Sequence, residues 1–337
     1  MPDAGGPRMK ILIVRLSSLG DVVHNMPMVA DILARHPDAQ IDWIVEEAYA
    51  GLIALNKGVR DVIPIALRRW RKQLGRRSTW REIADFCRRL QREQYDYVFD
   101  TQGLLKSGIV MGIARTAAHG IKLGLANGTE GCGYEAPTRW FQHKSVAVSP
   151  RAHAVMRARL VAAAGLGYSP SQPADFLLAA PAMPAPAWLP DGPYAVFFHA
   201  TARASKQWDS RNWVETGKAI RQLGMPVLLP WGSAGERQAA AQLAAQIPDA
   251  IVLPRLPLLE AVLLAERARL VVGVDTGLTH IAAAYRRPTV EIYCDSPVWN
   301  TAGDWSPAVV NLGDRGKPPG AEQVWQAIER LCCMTSA

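Results

Sequence analysis

The chain has 337 residues, 49% of them hydrophobic and 20% charged, with a formal net charge of +8 and a mean hydropathy of −0.01. It is too long for one ordinary core and suits two domains, and no apolar run approaches the roughly 18 residues that span a bilayer. The five cysteines (Cys87, Cys132, Cys294, Cys332 and Cys333) are scattered without a Cys-x-x-Cys pair, which excludes a disulfide framework or structural zinc and points to reduced thiols. Residues 1–8 precede only a four-residue apolar run, Ile11 to Val14, too short for a secretory signal, so the expected location is the cytoplasm. The excess positive charge implies an acidic partner, and much of it is concentrated between Arg68 and Arg92.

Lys10 to Val14 predicts a strand, and Val22 to Leu33 a helix with Val22, Met26, Val29 and Leu33 at helical spacing. Between them runs Arg15-Leu16-Ser17-Ser18-Leu19-Gly20-Asp21. Gly20 permits close approach of backbone to a ligand. The helix dipole favours the ionised form of Asp21, which can accept a proton as a weak base; the alternative is a simple N-cap. The Gly-x-Gly-x-x-Gly spacing of nicotinamide sites is absent. Strands at Ile41 to Val45 and Val62 to Leu67 flank the acidic pair Glu46-Glu47, and the alternation with helices marks a doubly wound parallel sheet whose functional loops lie at the carboxyl ends of its strands.

Directly after Leu67 stand Arg68-Arg69-Trp70-Arg71-Lys72, then Arg76, Arg77 and Arg81. Arginine forks suit carboxylates and phosphates; a solvated helix face is the plainer alternative. Glu82 to Gln91 predicts a basic amphipathic helix. Tyr97 to Phe99 predicts a strand ending in Asp100-Thr101-Gln102-Gly103-Leu104-Leu105-Lys106-Ser107, which aims Lys106 toward the same cleft as Asp21. Residues 120–134 are glycine-rich and predict irregular loop, with no role assigned to Gly131-Cys132-Gly133. Ala152 to Ala164 predicts a helix carrying His153, Arg157 and Arg159.

The proline-rich stretch Pro181 to Pro190 divides the chain into a domain at 1–180, a linker at 181–192 and a domain at 193–337, whose last helix is free to pack back on the first. The second domain repeats the rhythm: a strand Tyr194 to Phe198 leading into His199 to Trp208, a helix from about Trp213, a strand Pro226 to Leu229 ending in Pro230-Trp231-Gly232-Ser233, and a helix opening with Glu236. Ile251 to Leu253 predicts a short buried strand, and Leu270 to Val274 and Thr289 to Tyr293 two more. After Val274 comes Asp275-Thr276-Gly277-Leu278-Thr279-His280, a strand delivering the chain to a helix N-terminus, the geometry that binds phosphate. The alternative is that Asp275 or Thr276 merely caps the helix. Thr201 with Lys206, Gly232 with Glu236, and Asp275 to His280 together suit a nucleoside diphosphate, the carboxylate serving the ribose and the rest the pyrophosphate. No Asp-x-Asp pair offers a metal site, so phosphate charge falls to protein donors.

Four motifs, in matching order from Met9 to about Ser296, carry a resemblance: Arg15 to Asp21, Arg68 to Lys72, Asp100 to Ser107 and Asp275 to His280. Together they resemble the lipopolysaccharide heptosyltransferases, and within them the branch that adds the first heptose to inner-core Kdo. The resemblance implies the GT-B glycosyltransferase architecture, two doubly wound Rossmann-like domains facing across a cleft. It implies inverting transfer of L-glycero-D-manno-heptose from ADP-heptose to the Kdo of Kdo-lipid A, with no cofactor or catalytic metal, by a monomer peripheral to the cytoplasmic face of the inner membrane. Asp21 matches the proposed base. Thr201, Lys206, Thr276 and Gly277 match the donor pyrophosphate contacts, Glu236 the ribose contact, and Asp275 and His280 positions near the heptose and phosphates. Ser18, Gly20, Arg68, Arg69, Arg71, Lys72 and Lys106 match the acceptor side. Two positions depart: Ala202 replaces a frequent second threonine, and Leu256 a methionine near the adenine. The alternatives are a type II heptosyltransferase, a sugar-nucleotide epimerase, or a nucleic-acid-binding surface on the basic patch; the last predicts interleaved aromatics, and only Trp70 and Trp80 are present there.

Overall fold

The computed structural model describes residues 8–170, 173–201 and 203–334, so Ala202 lies outside the described residues. The chain divides into two compact units, Met1–Ala179 and Ala180–Ala337. In unit 1 the elements are β1 (Lys10–Val14), α1 (Leu19–Asn25), α2 (Pro27–Arg35), β2 (Gln40–Glu46), α3 (Ala50–Ile53), β3 (Val59–Ile65), α4 (Leu67–Trp70), α5 (Arg77–Leu90), β4 (Gln94–Asp100), α6 (Leu105–Ile113), β5 (Arg115–Leu125), β6 (Lys144–Val146) and α7 (Ala154–Leu166). The strands form one parallel sheet in the order β3-β2-β1-β4-β5-β6. Ile11 to Val14 are all inaccessible to solvent, as a central strand covered on both faces requires.

Unit 2 comprises β7 (Ala195–Phe198), α8 (Ser210–Gln222), β8 (Val227–Leu229), α9 (Ala234–Ala244), β9 (Ile251–Val252), α10 (Leu258–Arg267), β10 (Leu270–Val274), α11 (Gly277–Ala284), β11 (Thr289–Tyr293), α12 (Val298–Thr301), β12 (Val309–Gly313) and α13 (Ala321–Met334). Its parallel sheet runs β12-β11-β10-β7-β8-β9, the same winding as in unit 1. The expected doubly wound class is therefore observed twice. The apolar face of α13, with Val324, Ala327, Ile328 and Leu331, is buried in the core of unit 2. The proline-rich stretch holds neither helix nor strand, and its Trp188 indole N–H donates to Glu260 on α10 at 2.7 Å.

Several local expectations are corrected. The helix expected over Val22 to Leu33 is two helices, α1 and α2, because Pro27, lacking an N–H, opens a new one. The strand expected to reach Leu67 ends at Ile65, and Arg68 and Arg69 sit on the short helix α4. The first part of the supposed loop at 120–134 is the end of β5; its glycines reflect crowding, since a Cβ on Gly120 would lie 2.4 Å from the Tyr95 carbonyl, beside the register shift between Tyr95 and Tyr97. β9 is an edge strand with Ile251 42% exposed, not a buried one. The helix expected from Trp213 starts at Ser210, capped by Asp209.

Candidate active site

In a sheet wound this way, ligands are met where the strand order reverses, since the loops leaving the two adjacent strands turn apart and leave a crevice. In unit 1 that point lies between β1 and β4. Asp100, fully buried at the end of β4, accepts from the backbone N–H groups of Gln102 (2.9 Å) and Gly103 (3.2 Å) and from the hydroxyls of Ser107 (2.9 Å) and Thr138 (3.2 Å). Gly103 adopts φ +71°, which a side chain would strain. The turn so fixed presents the Thr101 carbonyl to the Arg15 guanidinium at 2.6 Å and the Gln102 side-chain oxygen to the Leu16 N–H at 2.9 Å.

Arg15, 7% exposed, is thereby aimed at Asp21, whose Oδ1 it meets at 2.7 Å. Asp21 Oδ2 accepts from the Ser18 backbone N–H (3.1 Å) and hydroxyl (2.9 Å), and the Cys132 thiol lies 3.8 Å from Oδ1. Partial burial pushes the Asp21 carboxyl up, but Arg15, the Ser18 hydrogen bonds and Arg157 outweigh it and hold it at about 2. Asp21 is thus both an N-terminal partner of Ser18 and an ionised carboxylate with one face exposed, 27% of its side chain being accessible. Gly20 lies in the first turn of α1, next to Asp21.

The basic residues divide. Lys106 Nζ lies 3.4 Å from the Ser17 hydroxyl, and burial followed by the positive charge of Arg68 lowers its pKa, so Arg68, Lys106 and Arg15 share one electropositive region with Asp21. The Arg68 guanidinium sits 5.6 Å over the Tyr49 ring. Arg69 is half-exposed and paired with Glu47 (3.1 Å) and Glu82 (2.8 Å), and it lines the same pocket as Arg68 and Lys72. Arg71 and Lys72 are exposed, and Lys72 with Arg68 lines a pocket of about 300 Å³. Trp70 is buried and donates to Glu82, which leaves Trp80 as the exposed aromatic of the patch.

In unit 2 the reversal lies between β7 and β10, and it juxtaposes the loop 199–209 with the turn at 275–277. Lys206 Nζ meets Asp275 Oδ2 at 2.6 Å. Asp275 also accepts from Ser296, from Thr301 (3.2 Å) and from His280 Nε2 (3.0 Å). Burial opposes the Asp275 charge, but His280 and Lys206 hold its carboxyl far below the usual range. Neither Asp275 nor Thr276 caps α11 with its side chain; the Thr276 hydroxyl pairs with Thr279 at 3.3 Å, and the helix opens at Gly277 with its first N–H groups uncapped. The cap alternative is therefore overturned here.

Glu236 is engaged otherwise: its Oε2 accepts from the Gly232 (2.7 Å) and Ser233 (3.1 Å) N–H groups while Ser233 accepts from its backbone, a reciprocal capping box. It also lines a pocket of about 830 Å³ with His199, Trp208 and Trp213. Thr201 lies half-buried in the loop after β7, and Leu256 half-buried beyond the edge strand β9, two strands from β7. Among the described residues no group of three or more His, Cys, Asp or Glu could hold a metal ion, and no helix is long and apolar enough to cross a membrane.

Arg15, Arg157 and Cys132 beside Asp21, and Glu291, Ser296 and Thr301 around Asp275 and His280, went unassigned from the sequence. Two carried a local signal: Arg15, which opens the polar turn ending in Asp21, and Glu291, a charge inside the apolar strand run Thr289 to Tyr293.

The family model described as glycosyltransferase family 9 (heptosyltransferase) matches residues 83–330. Lipopolysaccharide heptosyltransferase 1 of Salmonella typhimurium is 38% identical over 286 residues, 85% of this chain and 88% of that protein. The protein of that name from Pseudomonas aeruginosa is 38% identical over 290 residues, 85% of this chain and 78% of its own. Among solved structures, E. coli heptosyltransferase WaaC with ADP is 32% identical and superposes with a TM-score of 0.82 over 96% of this chain and 100% of that one. The chain belongs to glycosyltransferase family 9, the heptosyltransferases.

Proposed function

We propose that this enzyme transfers L-glycero-D-manno-heptose from ADP-heptose to the Kdo of Kdo-lipid A, with inversion, at the cytoplasmic face of the inner membrane. The observation that carries the donor assignment is the uncapped start of α11 beside Lys206, in a chain 32% identical over nearly its whole length to a heptosyltransferase solved with ADP. Helix N–H groups and an ammonium are what a diphosphate asks for, and they supply its neutralisation without a metal. The acceptor assignment rests on Arg68, Lys106, Arg71 and Lys72, cations that suit the carboxylate of Kdo and the phosphates of lipid A.

In the reaction, the bond between the anomeric carbon and the diphosphate oxygen breaks, its electron pair leaving with ADP. The acceptor hydroxyl forms the new bond from the opposite face and gives its proton to Asp21. A carboxylate held at about 2 is a weak base, which suits a hydroxyl that becomes strongly acidic only as its oxygen bonds to carbon. Arg15 keeps that carboxylate ionised and turned to Ser18, with its exposed face available.

The test is incubation of the purified enzyme with ADP-heptose and Kdo-lipid A, following ADP release and the mass gain of one heptose on the lipid. Transfer only to an acceptor that already carries a heptose would replace this reading with a type II activity.

A further inference from the structure

Glu291 is a fully buried carboxylate to which the donor-site reading gives no role. Its neighbours Val290 and Ile292 point into the core of unit 2, while Glu291 faces the other side of the sheet, where it accepts from the Tyr293 hydroxyl (2.8 Å) and the Gly303 N–H (3.1 Å). Its Oε1 lies 3.1 Å from His280 Nδ1, and the other ring nitrogen lies 3.0 Å from Asp275 Oδ1. A neutral imidazole has one N–H, so with a carboxylate at each nitrogen it would set a lone pair against an anion; only the imidazolium donates to both.

We propose that Glu291 is a positioning residue of the donor site: it holds His280 as a fixed imidazolium whose other N–H stays donated to Asp275 from behind, which frees Lys206 to leave Asp275 for an arriving diphosphate. This rests on the reading of Lys206 as a diphosphate contact. Without a cation behind it, Asp275 would both retain Lys206 and repel the phosphates. With it, the imidazolium N–H and the hydroxyls of Ser296 and Thr301 still donate to Asp275 when the ammonium moves to the diphosphate, so the carboxylate does not lose its last donors.

The charged and titratable groups around the ring are Asp275 from the β10–α11 turn, Glu291 and Tyr293 from β11, and Lys206 beyond Asp275. Helix α10, packed along α11, gives its Glu260 to Trp188 and its Glu266 to Arg287, and its Arg267 is exposed. Burial alone would lower the imidazolium pKa, but Glu291 and then Asp275 outweigh it and raise it to about 10.

The test follows the His280 ring by NMR on histidine-labelled full-length enzyme, assigned against His280→Gln, and ADP affinity by calorimetry, both between pH 7.5 and 9.5. That range lies above the second phosphate ionisation, near pH ~6. Glu291→Gln keeps an oxygen for Tyr293 and Gly303 and offers an amide donor to a neutral Nδ1. In the native enzyme His280 should stay protonated to about pH 9 with ADP affinity flat. In E291Q the ring should titrate with a midpoint below about 8, and ADP affinity should fall roughly tenfold across the range. A purely structural Glu291 would lower the melting temperature and leave both profiles unchanged, overturning the proposal. A lowered His280 midpoint with flat ADP affinity would refute the diphosphate role of Lys206, and with it a donor-site role for Glu291. Should E291Q not fold, the native titration decides, since a His280 midpoint below about 8 there would also overturn the proposal.

Discussion

Replacing Asp21 by Asn removes the proton acceptor with almost no change of volume and separates two contributions that the site combines. The Asn oxygen still accepts from Ser18, but Arg15, 7% exposed and held by the Thr101 carbonyl, faces a neutral amide in place of its partner at 2.7 Å. The Asp21 carboxyl is lowered from 3.8 to about 2, a shift worth about 2 kcal/mol of stability at neutral pH. Because the folded value is the depressed one, that contribution is whole above about pH 4, close to half lost by about pH 3, and gone below about 2. Urea unfolding at pH 7 should therefore show the Asn variant less stable by about 2 kcal/mol, with the gap closing as pH falls from 4 toward 2. Turnover, measured by ADP release at a temperature where both proteins are folded and at saturating ADP-heptose, should fall by roughly two to four orders of magnitude, the usual contribution of a placed acid or base. A variant that is less stable, binds ADP normally and turns over within about threefold of the native enzyme would refute the base assignment and leave Asp21 as the partner of Arg15 and Ser18.

Substituting Arg71 and Lys72 by Ala should raise the KM for Kdo-lipid A several-fold with ADP binding unchanged, whereas Arg69→Ala, which unties Glu47 and Glu82, should disturb the packing of α4 on α5; equal damage to ADP binding would defeat the division. Activity should survive a strong chelator, and complete loss restored by magnesium alone would be the contrary result. His280, raised from 6.5 to about 10, contributes stability that is full below about pH 6.5, declines as pH rises and is gone above about 10, so unfolding free energy should fall by a few kcal/mol over that window in the native enzyme and not in His280→Gln.

Much of the architecture was legible along the chain. Lys10 to Val14 read as a strand and Leu270 to Val274 as a buried parallel one, because an uninterrupted apolar run of that length fits a sheet covered on both faces, and both are parallel strands with their apolar residues buried. Asp21, Lys106, Lys206 and Asp275 could be singled out because each stands in a polar turn where a strand hands over to a helix. Local pattern failed where a residue is chosen for a distant neighbour: Gly120 weakens the look of a strand because the Tyr95 carbonyl leaves no room for a Cβ.

The partners of the site residues belong to that second class. Cys132 lies 111 positions from Asp21, Thr101 lies 86 from Arg15, and Lys206 lies 69 from Asp275. None of these pairs has a periodicity to betray it: the last two are made by the crossover order that sets β1 beside β4 and β7 beside β10, and Cys132 comes from the segment between β5 and β6. Residue types alone thus determined which turns carry charge and hydroxyls. Whether Asp275 caps a helix or anchors Lys206 and His280, and whether Arg69 is paired with Glu47, was decided only by the tertiary structure, since a side chain's role follows from the charge that packing places within about 3 Å of it.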